Sequence, residues 1–220
     1  AIWAHVTGQP HCMGTLFWQL NDVWAGPSWS TVDHTGTWKA AMYEVARSYR
    51  PLVLDLRHAE GTVVATMWNE EADPDLLLAI TQVFTTDGRC LRYDSLWFSP
   101  ATGLNELVRI PVTDVSSGSP SERTLVHVRV LDHRGDLLAD RTLTMAPWGM
   151  MDWQRSRIAL TPDLTRAGRY RLSTDVPVPN VHLRAPGATL SDNDFYLLPG
   201  ADRWIEVGGG APPTWEVWPP

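Results

Sequence analysis

The side chains with the clearest chemical potential lie near the beginning of this 220-residue chain. Trp18 stands close to the end of the apolar run 14–20, and Asn21 and Asp22 follow that run directly. An indole can stack on the apolar face of a sugar ring, and an amide can hydrogen-bond to hydroxyl groups. Core packing of Trp18 and a turn at Asn21-Asp22 are the structural alternatives. We therefore single out Trp18 and Asn21 as candidate ligand-binding residues.

Glu70 is the carboxylate that most resembles a general acid, because it follows Asn69 at the end of a predicted strand. The next residues, Glu71, Asp73 and Asp75, make a charged segment that is typical of a solvated loop. An exposed carboxylate in such a loop rarely acquires the raised pKa that acid catalysis needs. We interpret Glu70 as a loop residue and assign no catalytic residue to this chain.

Metal, nucleotide and nucleic-acid chemistry find no support in the sequence. The seven histidines lack H-x-H and H-E-x-x-H spacing, and Cys12 and Cys90 make neither a disulfide framework nor a zinc site. No G-x-S-x-G, P-loop or G-x-G-x-x-G motif is present. The net charge of −7, without a basic cluster, argues against nucleic-acid binding. We expect no metal and no cofactor.

Composition places the chain among soluble globular proteins. The longest apolar run, residues 76–80, is far too short to cross a membrane. Arginine outnumbers lysine 17 to 1, and Lys39 is that single lysine, a ratio typical of a GC-rich and here bacterial genome. Whether the protein is cytoplasmic or secreted stays open. Five of the twelve tryptophans precede residue 39, which suits a core or a sugar-stacking cleft.

The elements that must position Trp18 and Asn21 form a strand, a long loop and a helix. Residues 14–20 read as a strand buried on both faces, as in a parallel sheet. A helical face then recurs over residues 38–49, and Pro51 ends it. A lone parallel strand has no ladder partner, so we expect residues 1–50 to be the end of a larger α/β domain whose earlier part lies outside this sequence.

From residue 52 onward the pattern is all β. Short runs rich in Val, Leu and Thr predict seven strands of an immunoglobulin-like sandwich, with hairpin turns at Asp87-Gly88 and Arg134-Gly135. These strands are predicted at residues 52–56, 62–68, 76–84, 89–93, 104–110, 125–131 and 137–144. A linker at 146–154 leads to a smaller β segment with strands near 170–173, 181–184, 195–198, 204–207 and 215–218. Most later tryptophans lie in or beside strands, where we expect burial.

Three parts of the sequence resemble β-mannosidases of glycoside hydrolase family 2. Residues 13–24 (MGTLFWQLNDVW), 28–33 (SWSTVD) and 36–39 (GTWK) are similar to the last barrel strand, loop and helix of that family. Residues 69–93 resemble the first hairpins of its immunoglobulin-like domain, and residues 190–200 (LSDNDFYLLPG) resemble its C-terminal domain.

The resemblance implies a mainly β fold. Residues 1–50 would be the last βα unit of a (β/α)8 catalytic barrel, residues 51–148 an immunoglobulin-like β-sandwich, and residues 149–220 a small C-terminal β-sandwich. Members of the family are retaining exo-glycosidases that use two Glu residues. Neither Glu can be placed on this sequence, so the chain alone is predicted to be inactive.

Carried over residue by residue, the resemblance makes Trp18 a wall of the subsite for a terminal β-mannose, with Asn21 a second candidate. The implied partners are a β-mannoside substrate and the N-terminal part of the same enzyme. Two alternatives stay open: a non-catalytic carbohydrate-binding β-sandwich module, and a related β-glycosidase such as an exo-β-glucosaminidase. Stacking recognises the face of a sugar ring and not an individual hydroxyl group, so Trp18 does not discriminate between these sugars.

Overall fold

The computed structural model describes residues 2–9, 11–12, 14–71, 75–209 and 212–217. Within these residues the protein is mainly β, with fourteen strands and three short α-helices, which confirms the predicted fold class. The chain divides into two compact units. The first comprises residues 1–81, 93–115 and 127–143, and the second comprises residues 82–92, 116–126 and 144–220.

The first fifty residues contain two helices, α1 (Ile2–Val6) and α2 (Ala40–Ser48), joined by a long irregular segment. Helix α2 confirms the helix predicted from the periodic apolar face, and it buries Tyr43. The strand predicted at residues 14–20 is wrong, because this run has no ladder and Leu16 is 99% exposed. A parallel strand needs a neighbouring strand for its hydrogen bonds, and none of the described strands runs beside these residues.

Seven strands follow, the number predicted for this part of the chain, and they form one sheet of three strands and one of four. The strands and the helix among them are β1 (Leu52–Ala59), β2 (Thr62–Asn69), β3 (Leu77–Thr85), β4 (Cys90–Phe98), β5 (Gly103–Pro111), α3 (Val112–Ser116), β6 (Thr124–Leu131) and β7 (Leu137–Thr144). The order β1-β2-β5 makes one sheet and β4-β3-β6-β7 the other. Gly88 (φ +90°) turns the chain between β3 and β4, and Gly135 (φ +86°) does so between β6 and β7, confirming both predicted hairpin turns.

The sheet β1-β2-β5 is antiparallel, and β2 is its central strand. Val63, Ala65 and Met67 alternate along β2 and are fully buried. Ala65 lies opposite Leu56 on β1 and Val108 on β5 in the ladder, so the same face of all three strands is apolar. Val64 and Thr66 between them are also buried, so both faces of the middle of β2 are covered.

The second unit ends in two sheets around one apolar core. The strands are β8 (Ile158–Pro162), β9 (Arg169–Thr174), β10 (Val178–Arg184), β11 (Thr189–Leu190), β12 (Phe195–Leu197), β13 (Arg203–Gly208) and β14 (Thr214–Val217). One sheet has the order β11-β13-β9-β8 and the other β12-β10-β14. Their core contains Ile158, Leu172, Val178, Val181, Leu183, Phe195, Leu197 and Ile205.

The segment 190–200 fastens the strands of this small sandwich. Asn193 accepts a hydrogen bond from the Leu183 backbone N–H (2.7 Å) and donates one to the Leu183 carbonyl (3.0 Å), as a neighbouring strand would. Asp192 accepts a hydrogen bond from Arg203 at 2.5 Å, and both side chains are nearly buried. The polar residues of this motif therefore hold the fold together.

Candidate functional site

Trp18 lies on the surface of the first unit. Its side chain is 77% exposed, and the Trp18–Gln19 peptide bond is cis. The alternative in which Trp18 packs in a core is therefore not the arrangement in this structure. An exposed indole offers an apolar face to a ligand.

The backbone beside Trp18 is held by the segment that returns after the loop. The Thr31 N–H donates to the Gln19 and Leu20 carbonyls (both 3.1 Å), and the Thr31 hydroxyl donates to the Leu20 carbonyl (2.9 Å). The Val32 N–H also donates to the Leu20 carbonyl, at 2.8 Å. These bonds fix residues 19–20 although no regular strand forms there.

An ion pair closes the loop between residues 22 and 39. Lys39 Nζ lies 2.7 Å from Asp22 Oδ2 and donates to Ser30 Oγ at 2.7 Å. The Ser28 hydroxyl donates to the other oxygen of Asp22, and the Ser30 hydroxyl donates to the Val32 carbonyl at 2.9 Å. We call Asp22, Ser28, Ser30 and Lys39 the loop clamp.

The loop clamp keeps Asp22 ionised. The hydrogen bond from Lys39, followed by that from Ser28, lowers the pKa of Asp22 from 3.8 to about 2. A carboxylate with so low a pKa carries no proton at neutral pH and cannot serve as a general acid. Asp22 therefore positions the loop that carries Trp18 and Asn21.

Asn21 is exposed and takes part in the same loop. Its backbone forms a parallel bridge with Val32, and its side-chain Nδ2 donates to the Asp22 carbonyl at 3.1 Å. An amide has a second N–H and an acceptor oxygen, so an exposed Asn21 retains hydrogen-bonding capacity for a ligand. The structure thus places Trp18 and Asn21 three residues apart on one fastened loop.

Other candidates stay outside this loop. Glu70 is exposed just after β2, with its backbone N–H bonded to the Pro51 carbonyl (3.0 Å), which agrees with the interpretation as a loop residue. Asp73 and Pro74 of that loop lie outside the described residues. Cys12 and Cys90 are free thiols.

No metal-binding cluster and no membrane-spanning helix emerge from the described part of the chain. Within those residues, no three His, Cys, Asp or Glu side chains come together as metal ligands would. None of the helices described there has the length and apolarity required to cross a bilayer.

The burial expected for the later tryptophans is not general. Trp97, Trp204 and Trp215 are exposed. Trp97 lies on β4 and Trp215 on β14, which are edge strands, and an edge strand exposes side chains that a central strand buries. Trp204 precedes buried Ile205 on β13, so the alternation of the strand turns its ring to the solvent face. Of the other four, Trp68, Trp148 and Trp153 are half-buried, and Trp218 lies outside the described residues.

Lys39 is a residue of the candidate site that the sequence interpretation does not identify. In the sequence it stands out as the single lysine and as the last residue of the GTWK segment, and neither feature indicates that it holds Asp22 across 17 residues. The one local signal is its position immediately before α2, where it occupies the N-cap.

Comparison with known proteins confirms the resemblance found in the sequence, although no family model matches the chain. β-Mannosidase B of Neosartorya fischeri is 27% identical over 223 residues, which cover 92% of this chain and 26% of that protein. β-Mannosidase A of Aspergillus niger is 29% identical over 214 residues, 88% of this chain and 23% of that protein. Goat β-mannosidase is 48% identical over 48 residues, 22% of this chain and 6% of that protein. The chain spans about a quarter of the length of the two fungal relatives.

Solved structures share the fold. A β-D-mannosidase from Dictyoglomus thermophilum superposes with a TM-score of 0.83 at 18% identity, covering 99% of this chain and 28% of that one. An exo-chitosanase from Amycolatopsis orientalis superposes with a TM-score of 0.69 at 17% identity, covering 99% of this chain and 32% of that one. This chain therefore corresponds to less than a third of either protein.

Proposed function

We propose that this chain is the C-terminal part of a retaining exo-β-mannosidase, in which Trp18 forms one wall of the subsite for the terminal β-mannose. The observation that carries the proposal is the similarity to β-mannosidases over 88% and 92% of the chain. The division into a barrel edge (1–50), an immunoglobulin-like domain (51–148) and a small sandwich (149–220) belongs to the same proposal.

The role of Trp18 follows from its exposure and from the fastened loop beneath it. Stacking on the indole fixes the plane of the pyranose, while Asn21 hydrogen-bonds a hydroxyl of the sugar. The loop clamp holds both residues without ligand, so little conformational entropy is lost on binding. Orientation of this kind lowers the barrier by placing the anomeric carbon correctly.

The chemistry itself would come from residues outside this chain. A retaining glycosidase needs an acid/base Glu and a nucleophilic Glu about 5–5.5 Å apart. We propose that the N-terminal part of the same enzyme supplies both and covers much of the apolar surface around Trp18. Five large apolar side chains between residues 16 and 29 are at least three-quarters exposed, as expected of a surface that binds a partner: Leu16, Trp18, Val23, Trp24 and Trp29.

Activity assays on two proteins test the proposal: the 220-residue chain, and the longer enzyme encoded by the open reading frame that contains it. We expect the longer enzyme to cleave an aryl β-D-mannoside and to release β-mannose first, as seen by proton NMR, and the chain alone to be inactive. Hydrolysis by the isolated chain that survives repurification would contradict the proposal that the catalytic residues lie outside this chain. An open reading frame without two strand-end Glu residues upstream would contradict the enzyme class.

A second sugar is supported by one comparison, the fold shared with the exo-chitosanase. The same assay with aryl β-D-glucosaminide and aryl β-D-glucoside separates the possibilities, because the three substrates differ in their hydroxyl and amino groups but offer similar ring faces to Trp18. We expect the mannoside to have the highest kcat/KM. A higher value for the glucosaminide would assign the enzyme to that substrate.

A further inference from the structure

A groove of about 340 Å³ opens in the second unit. Three segments line it: the turn at residues 166–169, the region of edge strand β11 at residues 189–191, and the end of β13 at residues 206–208. All three belong to the second unit, whereas Trp18 belongs to the first. The volume is within the usual range for small-molecule sites.

Two glycines let the segments that line the groove approach one another closely. Gly168 adopts φ +77°, and a Cβ built on it would lie 2.8 Å from the Val207 carbonyl. A Cβ on Gly208 would lie 2.5 Å from Thr189 Oγ1. Side chains at these positions would push the lining segments apart, so their absence allows the backbones to approach closely.

Hydrogen bonds tie the lining segments together. The Ser191 N–H donates to the Glu206 carbonyl (2.9 Å), and the Glu206 N–H donates to Ser191 Oγ (2.9 Å). The Val207 N–H donates to the Gly168 carbonyl at 2.7 Å. The groove is therefore formed before any ligand arrives, which reduces the entropy lost on binding.

The charges that line the groove are already balanced. Arg166 pairs with Glu206 at 2.9 Å, and Arg169 lies 3.6 Å from Asp163. The Arg169 guanidinium also lies 4.3 Å from the centre of the Trp204 ring, which holds it in place. An anion would have to compete with these carboxylates, so the groove favours a neutral ligand.

The polar groups suit hydroxyl groups in particular. The Arg166–Glu206 pair presents N–H donors beside carboxylate acceptors, and a sugar hydroxyl both donates and accepts. The Ser191 oxygen accepts the Glu206 N–H, which leaves its O–H to donate. Leu190 and Val207 also line the groove, but both pack against the apolar core of the sandwich, so the polar groups carry the recognition.

We propose that this groove is a non-catalytic binding site for a neutral saccharide, separate from the surface of Trp18. Through it a polysaccharide or branched glycan would be held by the C-terminal sandwich. This binding site does not depend on the proposed enzyme function, which serves only to select β-1,4-mannobiose as the first probe.

The test is a titration of the 220-residue chain, followed by two-dimensional 15N–1H NMR, with β-1,4-mannobiose, cellobiose and inorganic phosphate. We expect a disaccharide to shift the amide signals of Gly168 and Gly208 and the indole signal of Trp204. Arg166→Ala removes charge-assisted hydrogen bonds and should weaken binding about tenfold. Ala167→Trp fills the groove and should abolish binding.

Two controls locate the effect. Arg184→Ala breaks a comparable exposed pair, Arg184–Glu216 at 3.0 Å, outside the groove and should leave the affinity unchanged. Trp18→Ala should also leave these shifts unchanged, so failure of the Trp18 subsite and failure of the groove give different results.

Three results would overturn the proposal: no disaccharide shifts the groove signals, phosphate binds more tightly than either disaccharide, or binding persists in the altered groove. If Ala167→Trp loses the dispersed spectrum of a folded protein, unchanged binding by Arg166→Ala is sufficient to reject it.

Discussion

Replacing Trp18 by alanine in the longer enzyme tests the proposed sugar platform. Trp18 is 77% exposed. Since a tryptophan side chain presents roughly 250 Å² in all, roughly 190 Å² of it is open to solvent. A pyranose stacked on one face would cover about half of that, on the order of 90 Å². At about 25 cal/mol per Å² the lost contact is about 2 kcal/mol, or about thirtyfold in kcat/KM.

The assay is steady-state hydrolysis of an aryl β-D-mannoside, with kcat and KM determined separately. Trp18→Phe keeps an aromatic face and should recover most of the lost kcat/KM. Trp97→Ala is the matched control, because Trp97 is also exposed, at 53%, but lies on β4. A Trp18→Ala enzyme with unchanged kcat/KM, or an equal loss in Trp97→Ala, would refute the assignment of Trp18 to the sugar subsite.

Three further predictions concern stability. Lys39→Met should raise the pKa of Asp22 from about 2 toward 3.8, because Lys39 is the largest cause of the lowered value; carbon NMR of the carboxyl between about pH 5 and pH 1 measures it. Ionised Asp22 stabilises the folded state. This contribution is fully present above the unfolded pKa of 3.8 and is lost as the pH falls toward the folded pKa of about 2. Arg203→Met strips a buried carboxylate of its ion-pair partner and should cost about 3 kcal/mol or more in urea unfolding. Gly88→Ala should cost about 2 kcal/mol or more, and Gly118→Ala less, because both have positive φ but only Gly88 of the two lies against a facing backbone.

Each of these predictions has a contrary outcome. An Asp22 titration that does not move in Lys39→Met would show that Lys39 does not set its charge. A urea midpoint for Arg203→Met close to that of the unaltered chain would contradict the structural role of the Asp192–Arg203 pair. Equal losses for Gly88→Ala and Gly118→Ala would mean that φ alone, and not the close approach, determines the cost.

Strands with continuous Val, Leu and Thr runs could be predicted from the sequence because such runs are buried. β2 extends only one residue further than predicted and β6 begins only one residue earlier, and most residues of both strands are buried. The edge strand β8 could not be predicted in this way, because only Ile158 of its five residues is buried and Pro162 ends it. The apolar run 14–20 failed in the opposite way, since an apolar composition does not make a strand without a neighbour.

The candidate site also has a part that could be predicted from the sequence and a part that could not. Trp18 and Asn21 could be selected by residue type and resemblance alone. The Lys39–Asp22 contact could not, because it joins residues 17 apart across an irregular loop and leaves no periodic pattern. The saccharide groove could not be predicted from the sequence either, because three separate segments of the chain line it.

The loop clamp contains an amine whose reactivity can be measured. Lys39 is the single lysine, so its side chain carries the one ε-amine in the chain. That amine is partly exposed and is held by Asp22 and Ser30. An ammonium paired with a carboxylate must lose both its proton and its partner before it can attack an acylating reagent. The rate of acylation at Lys39, followed by mass spectrometry of the peptide that contains it, would therefore report how often Lys39 leaves Asp22 and Ser30.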